Sequence, residues 1–223
     1  MIWFSGATAS ISPSDIHGGA FTLLTETKLK FEGYGIAASI DANKTIKFLF
    51  LGRYERRKGV EELNIVLKKI VDQNLNIEFH FIGPIPEIKR IKNLSNKVIY
   101  HGRIIDIGKI KSIMDNCDIL ICPSYSEGMP NVILEGMSRG LAVIATDVGA
   151  NELLVSNENG KLIKFTSREN LIENLHNSII ELASLEKSHL LIKKEASIKN
   201  VTDFTFDKVA ESHISFFKQF NKF

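Results

Sequence analysis

Cysteine is scarce in this chain of 223 residues, where Cys117 and Cys122 are the only two. They flank one predicted strand, which holds them too far apart for a bridge, so both are expected to be buried free thiols in a reducing compartment. There is no second clustered pair, and six histidines are scattered without ligand spacing, so no metal site is expected. Long apolar runs are also missing, and none approaches the roughly 20 residues that a bilayer-crossing helix needs. Met1 to Phe4 is apolar, but Ser5 to Asp15 is polar and lacks a basic start. That pattern is not a secretory signal, and the expectation is a cytoplasmic protein. Nor does one sign of charge dominate: 28 basic and 26 acidic residues leave a net charge of +2, with the two kinds interspersed. No general field for nucleic acid exists, so nucleic acid is not an expected partner and any phosphate binding must be local.

What is present is an ordinary globular composition, 44% hydrophobic and 24% charged. A chain of this length can bury roughly 70% of its unfolded surface. From Thr45 onward strand and helix signals alternate. Ile46 to Leu51 reads as a strand ending at Gly52, and Gly59 to Asp72 as a helix with Val60, Leu63, Val66, Leu67 and Ile70 on one side. Strands follow at Asn76–Ile82, Val98–Tyr100, Cys117–Ser124, Leu141–Ala145 and Gly160–Ile163. Helices are expected at Ile107–Met114, from Pro130, at Ala150–Leu154, at Arg168–Leu185 and at Val209–Phe220. Strands joined by helices imply right-handed crossovers and an α/β fold with one doubly wound parallel sheet. Residues 1–44 are poorly periodic; His17-Gly-Gly19 reads as a linker turn sooner than a phosphate loop.

The chemistry-bearing stretch is Glu127-Gly-Met-Pro-Asn-Val-Ile-Leu-Glu135, with two carboxylates eight positions apart. It follows a strand's carboxyl end, where ligands bind in open α/β sheets. Pro130 fits the first position of a helix, and the free amides of Asn131, Val132 and Ile133 would form an anion site at its positive end. Asn131 and Glu135 would share a face while Val132, Leu134 and Met137 turn toward the sheet. Glu135, one turn behind the anion, comes within reach of a ribose hydroxyl. Glu127 could accept hydrogen bonds from sugar hydroxyls, with Gly128 permitting close backbone approach. The plainer reading is an acidic loop residue and a helix glutamate without a ligand. A second loop, Gly52-Arg-Tyr-Glu-Arg-Arg-Lys-Gly59, leaves the same sheet edge carrying Arg53, Arg56, Arg57 and Lys58. A solvated basic loop is its default reading. Convergence of these cations with the helix start would instead suit a diphosphate, gripped bidentately by Arg53 and neutralised by Lys58. The same charges would stabilise a departing diphosphate.

In order, the chain carries Gly52-Arg53 with Lys58-Gly59, Phe81-Ile-Gly-Pro84, His101-Gly-Arg103, Ser126-Glu-Gly-Met-Pro-Asn-Val-Ile-Leu-Glu-Gly-Met137, Asp147-Val-Gly-Ala-Asn-Glu152 and Asn159-Gly160. This series resembles the carboxyl-terminal domain of the GT-B retaining glycosyltransferases of family 4, over roughly residues 45–223. The resemblance implies a single Rossmann-like half of a GT-B fold that binds a nucleotide-diphosphate sugar for retaining hexosyl transfer. By its pattern Arg53, Lys58 and Glu127 are catalytic. Glu127 with the Gly128 and Met129 backbone addresses the donor sugar, the Asn131 and Val132 amides meet phosphate, Glu135 binds ribose, and the backbone around Arg103 and Ile104 meets the base. It further implies front-face departure of the nucleotide diphosphate, no cofactor and no divalent metal.

That family pairs this domain with an amino-terminal, acceptor-binding one. Residues 1–44 then correspond to a remnant of the interdomain connector, 45–200 to the donor domain, and 201–223 to a last helix that crosses back. The implied partners are the nucleotide-sugar donor, a glycan or lipid-linked acceptor, and a partner chain or missing amino-terminal domain. Family context implies polysaccharide or lipid-linked glycan assembly, with peripheral association at the inner membrane face. Two alternatives stay open: a non-catalytic nucleotide-sugar-binding or regulatory module, and a nucleotide-sugar epimerase on a similar scaffold.

Overall fold

The computed structural model describes residues 45–70, 73, 75–92 and 97–220; the expectations for residues 1–44 lie outside these. Six strands form one all-parallel sheet in the order β3-β2-β1-β4-β5-β6, a doubly wound arrangement. They are β1 Ile46–Leu51, β2 Ile77–Ile82, β3 Val98–Gly102, β4 Ile119–Cys122, β5 Ala142–Thr146 and β6 Gly160–Ile163. The helices are α1 Val60–Ile70, α2 Ile107–Asp115, α3 Asn131–Ser138, α4 Asn151–Leu154, α5 Arg168–Ala183, α6 Lys187–Val201 and α7 Phe206–Phe220.

Alternation along β1 decides which side chains meet which helices. Ile46, Phe48 and Phe50 face one side, where Phe48 pairs in register with Phe79 and Phe50 with Phe81. Their rings lie 4.8 and 5.7 Å apart, aromatic contacts that add to the area buried. The buried stripes of α1 and α5, including Leu63, Val66, Leu171 and Leu175, close this layer. On the other face Leu49, Ile82, Leu120, Val143 and Ala145 meet Met114 of α2, Ile133, Leu134 and Met137 of α3, and Val201 of α6. Cys117 and Cys122 are buried and unbridged, as the strand between them requires.

Two local expectations need correction. Pro130 does not begin the helix: with ψ at 102° it is the cap residue, and its carbonyl accepts from the amides of Ile133 (3.0 Å) and Leu134 (3.5 Å). With Asn131 as first helical residue, Ile133 joins Leu134 and Met137 on the buried face, and Val132 lies half-buried at its margin. The helix α6 is not marked by an apolar stripe in the sequence. It buries Leu190, Ser197 and Val201 while leaving Leu191 and Ile192 exposed, so its apolar residues do not fall on one face. Among the described residues no helix is long and apolar enough to cross a membrane.

Candidate functional site

The strand order reverses between β1 and β4, whose following helices lie on opposite faces of the sheet. The loops leaving their carboxyl ends therefore flank a crevice, the usual ligand position in such sheets. After β1, a short 3-10 turn at Arg56–Lys58 ends on Gly59 at φ 66°. A Cβ on Gly59 would lie 2.0 Å from the carbonyl oxygen of Pro123, so only glycine lets the turn press against the end of β4. The Tyr125 amide donates to the Arg57 carbonyl at 2.7 Å and locks the two loops together.

This contact brings Lys58 and Glu127 side by side. Lys58 Nζ donates to Glu127 Oε1 at 2.6 Å, with the two side chains 18% and 7% exposed. Ser124 Oγ donates to the same oxygen at 2.6 Å, and Arg57 Nη1 stands 3.9 Å from Oε2. The carboxylate is thus hydrogen-bonded through one oxygen, with Arg57 facing the other. Behind it, Thr146 Oγ1 donates to the Ser124 carbonyl, and Asn151 Nδ2 donates to the Thr146 carbonyl at 2.8 Å. The Ala150 amide donates to the Gly128 carbonyl at 2.9 Å. Gly149, at φ 58°, leaves no room for a Cβ, which would fall 2.1 Å from the Glu127 carbonyl oxygen. Sequence reasoning overlooked Ser124, Thr146 and the Glu127 role of Arg57; a serine directly after the strand's Cys122-Pro123 end was the available signal for the first.

The other predicted residues fall around this pair. Gly128 and Met129 are exposed at the loop tip, and Asn131 is exposed at the start of α3, whose cap residue supplies no side-chain hydrogen bond. Their amides remain at the positive end of that helix. Glu135 lies one turn in, half-buried, and burial alone pushes its carboxyl up to about 7. Arg53 does not reach Glu127: it is mostly exposed and its Nε lies 2.9 Å from Glu55 Oε1, while Arg57 Nε takes the other oxygen at 2.7 Å. Arg103 and Ile104 follow β3, two strands from β1, and among the described residues they make no hydrogen bond or ion pair with the Lys58–Glu127 cluster. Arg103 is exposed and Ile104 packs against the second core layer.

The cation, the carboxylate and the helix start thus meet at the topological switch point of the sheet. Residues 45–184, more than half of the chain, match the family Glycosyl transferases group 1. The chain belongs to the group 1 glycosyltransferases. It is 29% identical to protein CapJ of Staphylococcus aureus over 153 residues, 65% of this chain and 39% of that protein. It is 28% identical to the UDP-Gal:alpha-D-GlcNAc-diphosphoundecaprenol alpha-1,3-galactosyltransferase of Escherichia coli over 178 residues, 75% of this chain and 45% of that enzyme. These matches span less than half the length of either relative. Among solved structures, the carboxyl-terminal domain of the group 1 glycosyltransferase LpcC from Francisella tularensis superposes with a TM-score of 0.61 at 25% identity, over 70% of this chain and 84% of that one. The sheet is thus the Rossmann-like half of a GT-B fold.

Proposed function

We propose that this group 1 glycosyltransferase chain binds a nucleotide-diphosphate sugar and serves as the donor half of a retaining hexosyltransferase. The observation that carries the reading is the Lys58 ammonium held 2.6 Å from the Glu127 carboxylate across the crevice, beside the α3 start. A cation and helix amides suit a diphosphate; a carboxylate suits sugar hydroxyls. On this reading Glu135, one turn along α3, is assigned to the ribose hydroxyls, and the loop at Arg103 and Ile104 to the base. Arg53, on its exposed loop position, is assigned to the phosphates by exchange of Glu55 for the ligand.

In the proposed transfer the bond between the sugar C1 and the phosphate oxygen breaks, and the acceptor oxygen bonds C1 on the same face. The acceptor proton passes to the departing diphosphate. Lys58 and the α3 amides stabilise the negative charge that grows on that leaving group. Neither a cofactor nor a divalent metal is assigned a part. The acceptor, a glycan or lipid-linked saccharide at the membrane surface, is assigned to an amino-terminal domain or partner chain, in keeping with the diphosphoundecaprenol-linked sugar for which the Escherichia coli relative is named.

Calorimetric titration of the 223-residue chain with UDP, GDP and ADP, with and without EDTA, tests the donor half. Saturable binding of one nucleotide, unchanged by EDTA, is expected. A folded chain that binds none of the three would sink the proposal.

A further inference from the structure

We propose that Glu62 is a positioning residue for the diphosphate side of the crevice, acting through Arg56 on Lys58; the inference rests on the donor reading above. Glu62 lies on α1, between Val60 and Leu63 of the core, and its side chain is fully buried. A carboxylate withdrawn from water on an otherwise apolar face is unfavourable unless it is paired. Here two arginines from distant segments provide the pairing. Arg168, the first residue of α5, donates from Nε to Oε1 at 2.6 Å, and Arg56 donates from Nη1 to Oε2 at 3.1 Å. The arginines lie 42% and 56% exposed, so their outer faces stay in water while the glutamate does not.

Arg56 is held on its other side as well. Its guanidinium lies 4.5 Å from the centroid of the Tyr125 ring, and its Nη2 is 3.4 Å from the Tyr125 hydroxyl. The Tyr125 ring in turn meets Phe165 edge-on at 5.5 Å. Tyr125 stands two residues before Glu127, and Arg56 two residues before Lys58. The stack of Glu62, Arg56 and Tyr125 therefore clamps the same two loops that carry the Lys58–Glu127 pair. A hydrophobic residue at position 62 would suit the core equally well, but it would leave Arg56 held by Tyr125 alone and loosen the short turn that aims Lys58. The clamp also keeps Arg56 away from the phosphates, which leaves Lys58, Arg57 and Arg53 as the cations for them.

The test is binding of the nucleoside diphosphate selected by the titration above, and of its nucleoside, to the full chain and to E62Q, each with and without K58A. Thermal unfolding by circular dichroism verifies the fold of each variant. E62Q is expected to lose about tenfold in diphosphate affinity, to change nucleoside affinity less than twofold, and to add less than a twofold loss once Lys58 is absent, because coupled residues are not additive. An equal loss in both backgrounds would show that Glu62 serves the domain at large, and unchanged or tighter binding by folded E62Q would overturn the clamp. Should E62Q fail to fold, R56Q changes only the exposed member of the pair and carries the same expectations and the same refutation. Wild-type chain that binds no diphosphate would overturn the donor reading and this inference together, whereas wild-type binding with an unaffected variant overturns the inference alone.

Discussion

Replacing Glu135 with Gln separates a buried acid from a ligand-binding one. Burial raises its carboxyl from 4.5 to about 7. At about 1.4 kcal/mol per pH unit, that rise amounts to about 3 kcal/mol between the protonated and ionised folded forms. The sign follows from linkage: the folded chain holds this proton more tightly than the unfolded chain. Its contribution is therefore fully present below about pH 4.5 and is lost as the pH rises through about 7. E135Q keeps the shape and loses the titration. It should match the wild type near pH 4 and exceed it at pH 8, by up to about 10 °C in Tm for a chain of this size. Nucleotide binding should respond in the opposite direction. If ribose hydroxyls donate to the carboxylate, ligand favours the ionised form, and at pH 6 only about one molecule in ten is ionised. Wild-type affinity for the nucleoside diphosphate should then be about tenfold lower at pH 6 than at pH 8, beyond the trend that titration of the phosphate imposes equally on E135Q. Calorimetry at pH 6, 7 and 8 reads that difference. A constant ratio of wild-type to E135Q affinity over this range would refute the ribose contact, and a constant difference in Tm would refute the buried acid.

K58A should weaken nucleoside diphosphate binding by roughly 10- to 100-fold, the worth of one charge-assisted hydrogen bond, while sparing the nucleoside; equal losses for both would remove Lys58 from the phosphates. G59A should destabilise the fold by about 3 kcal/mol or more, because the left-handed backbone and the Pro123 carbonyl both oppose a Cβ; urea denaturation showing a loss under about 1 kcal/mol would mean the loops do not press together there. Burial pushes the Cys117 thiol up to about 12 and that of Cys122 up to about 11, so neither should react with iodoacetamide in the native chain at pH 8. Rapid native alkylation detected by mass spectrometry would contradict their burial.

Strands were legible where alternation and burial agreed. In Ile46–Leu51 the alternate residues enter two different core layers, and the predicted limits coincide with the observed ones. At β5 the observed strand is shifted by one residue, from Ala142 to Thr146, a fully buried polar residue whose hydroxyl is satisfied by the Ser124 carbonyl; that bond spans 22 residues and leaves no local trace. The α6 helix escaped because Ser197 takes a buried position while Leu191 and Ile192 do not. At the site, residue types were readable but partnerships were not. Lys58 and Glu127 are 69 positions apart, and their contact depends on Gly59 fitting beneath Pro123. Arg53 and Lys58 share one basic loop and one expected ligand, yet Glu55 holds the first near the surface and Glu127 draws the second inward.

Those partnerships bear on how a ligand enters. Glu55 serves Arg53 and Arg57, Glu62 serves Arg56, and Glu127 serves Lys58, so the four cations of the loop are distributed over three carboxylates before any anion arrives. On the proposed reading, binding then exchanges acceptors and does not assemble charges. Lys58 would leave Glu127 for a phosphate oxygen a short distance away, which limits the conformational freedom lost on binding. Glu127 would lose a cation but keep the Ser124 hydroxyl on the same oxygen, so it stays oriented while that oxygen turns to a sugar hydroxyl. The internal ion pair would then be a competitor of modest strength and also the device that keeps both groups where the ligand needs them. Removing Lys58 should therefore affect both ends of the donor, and removing the Glu62 clamp should affect the phosphate end first.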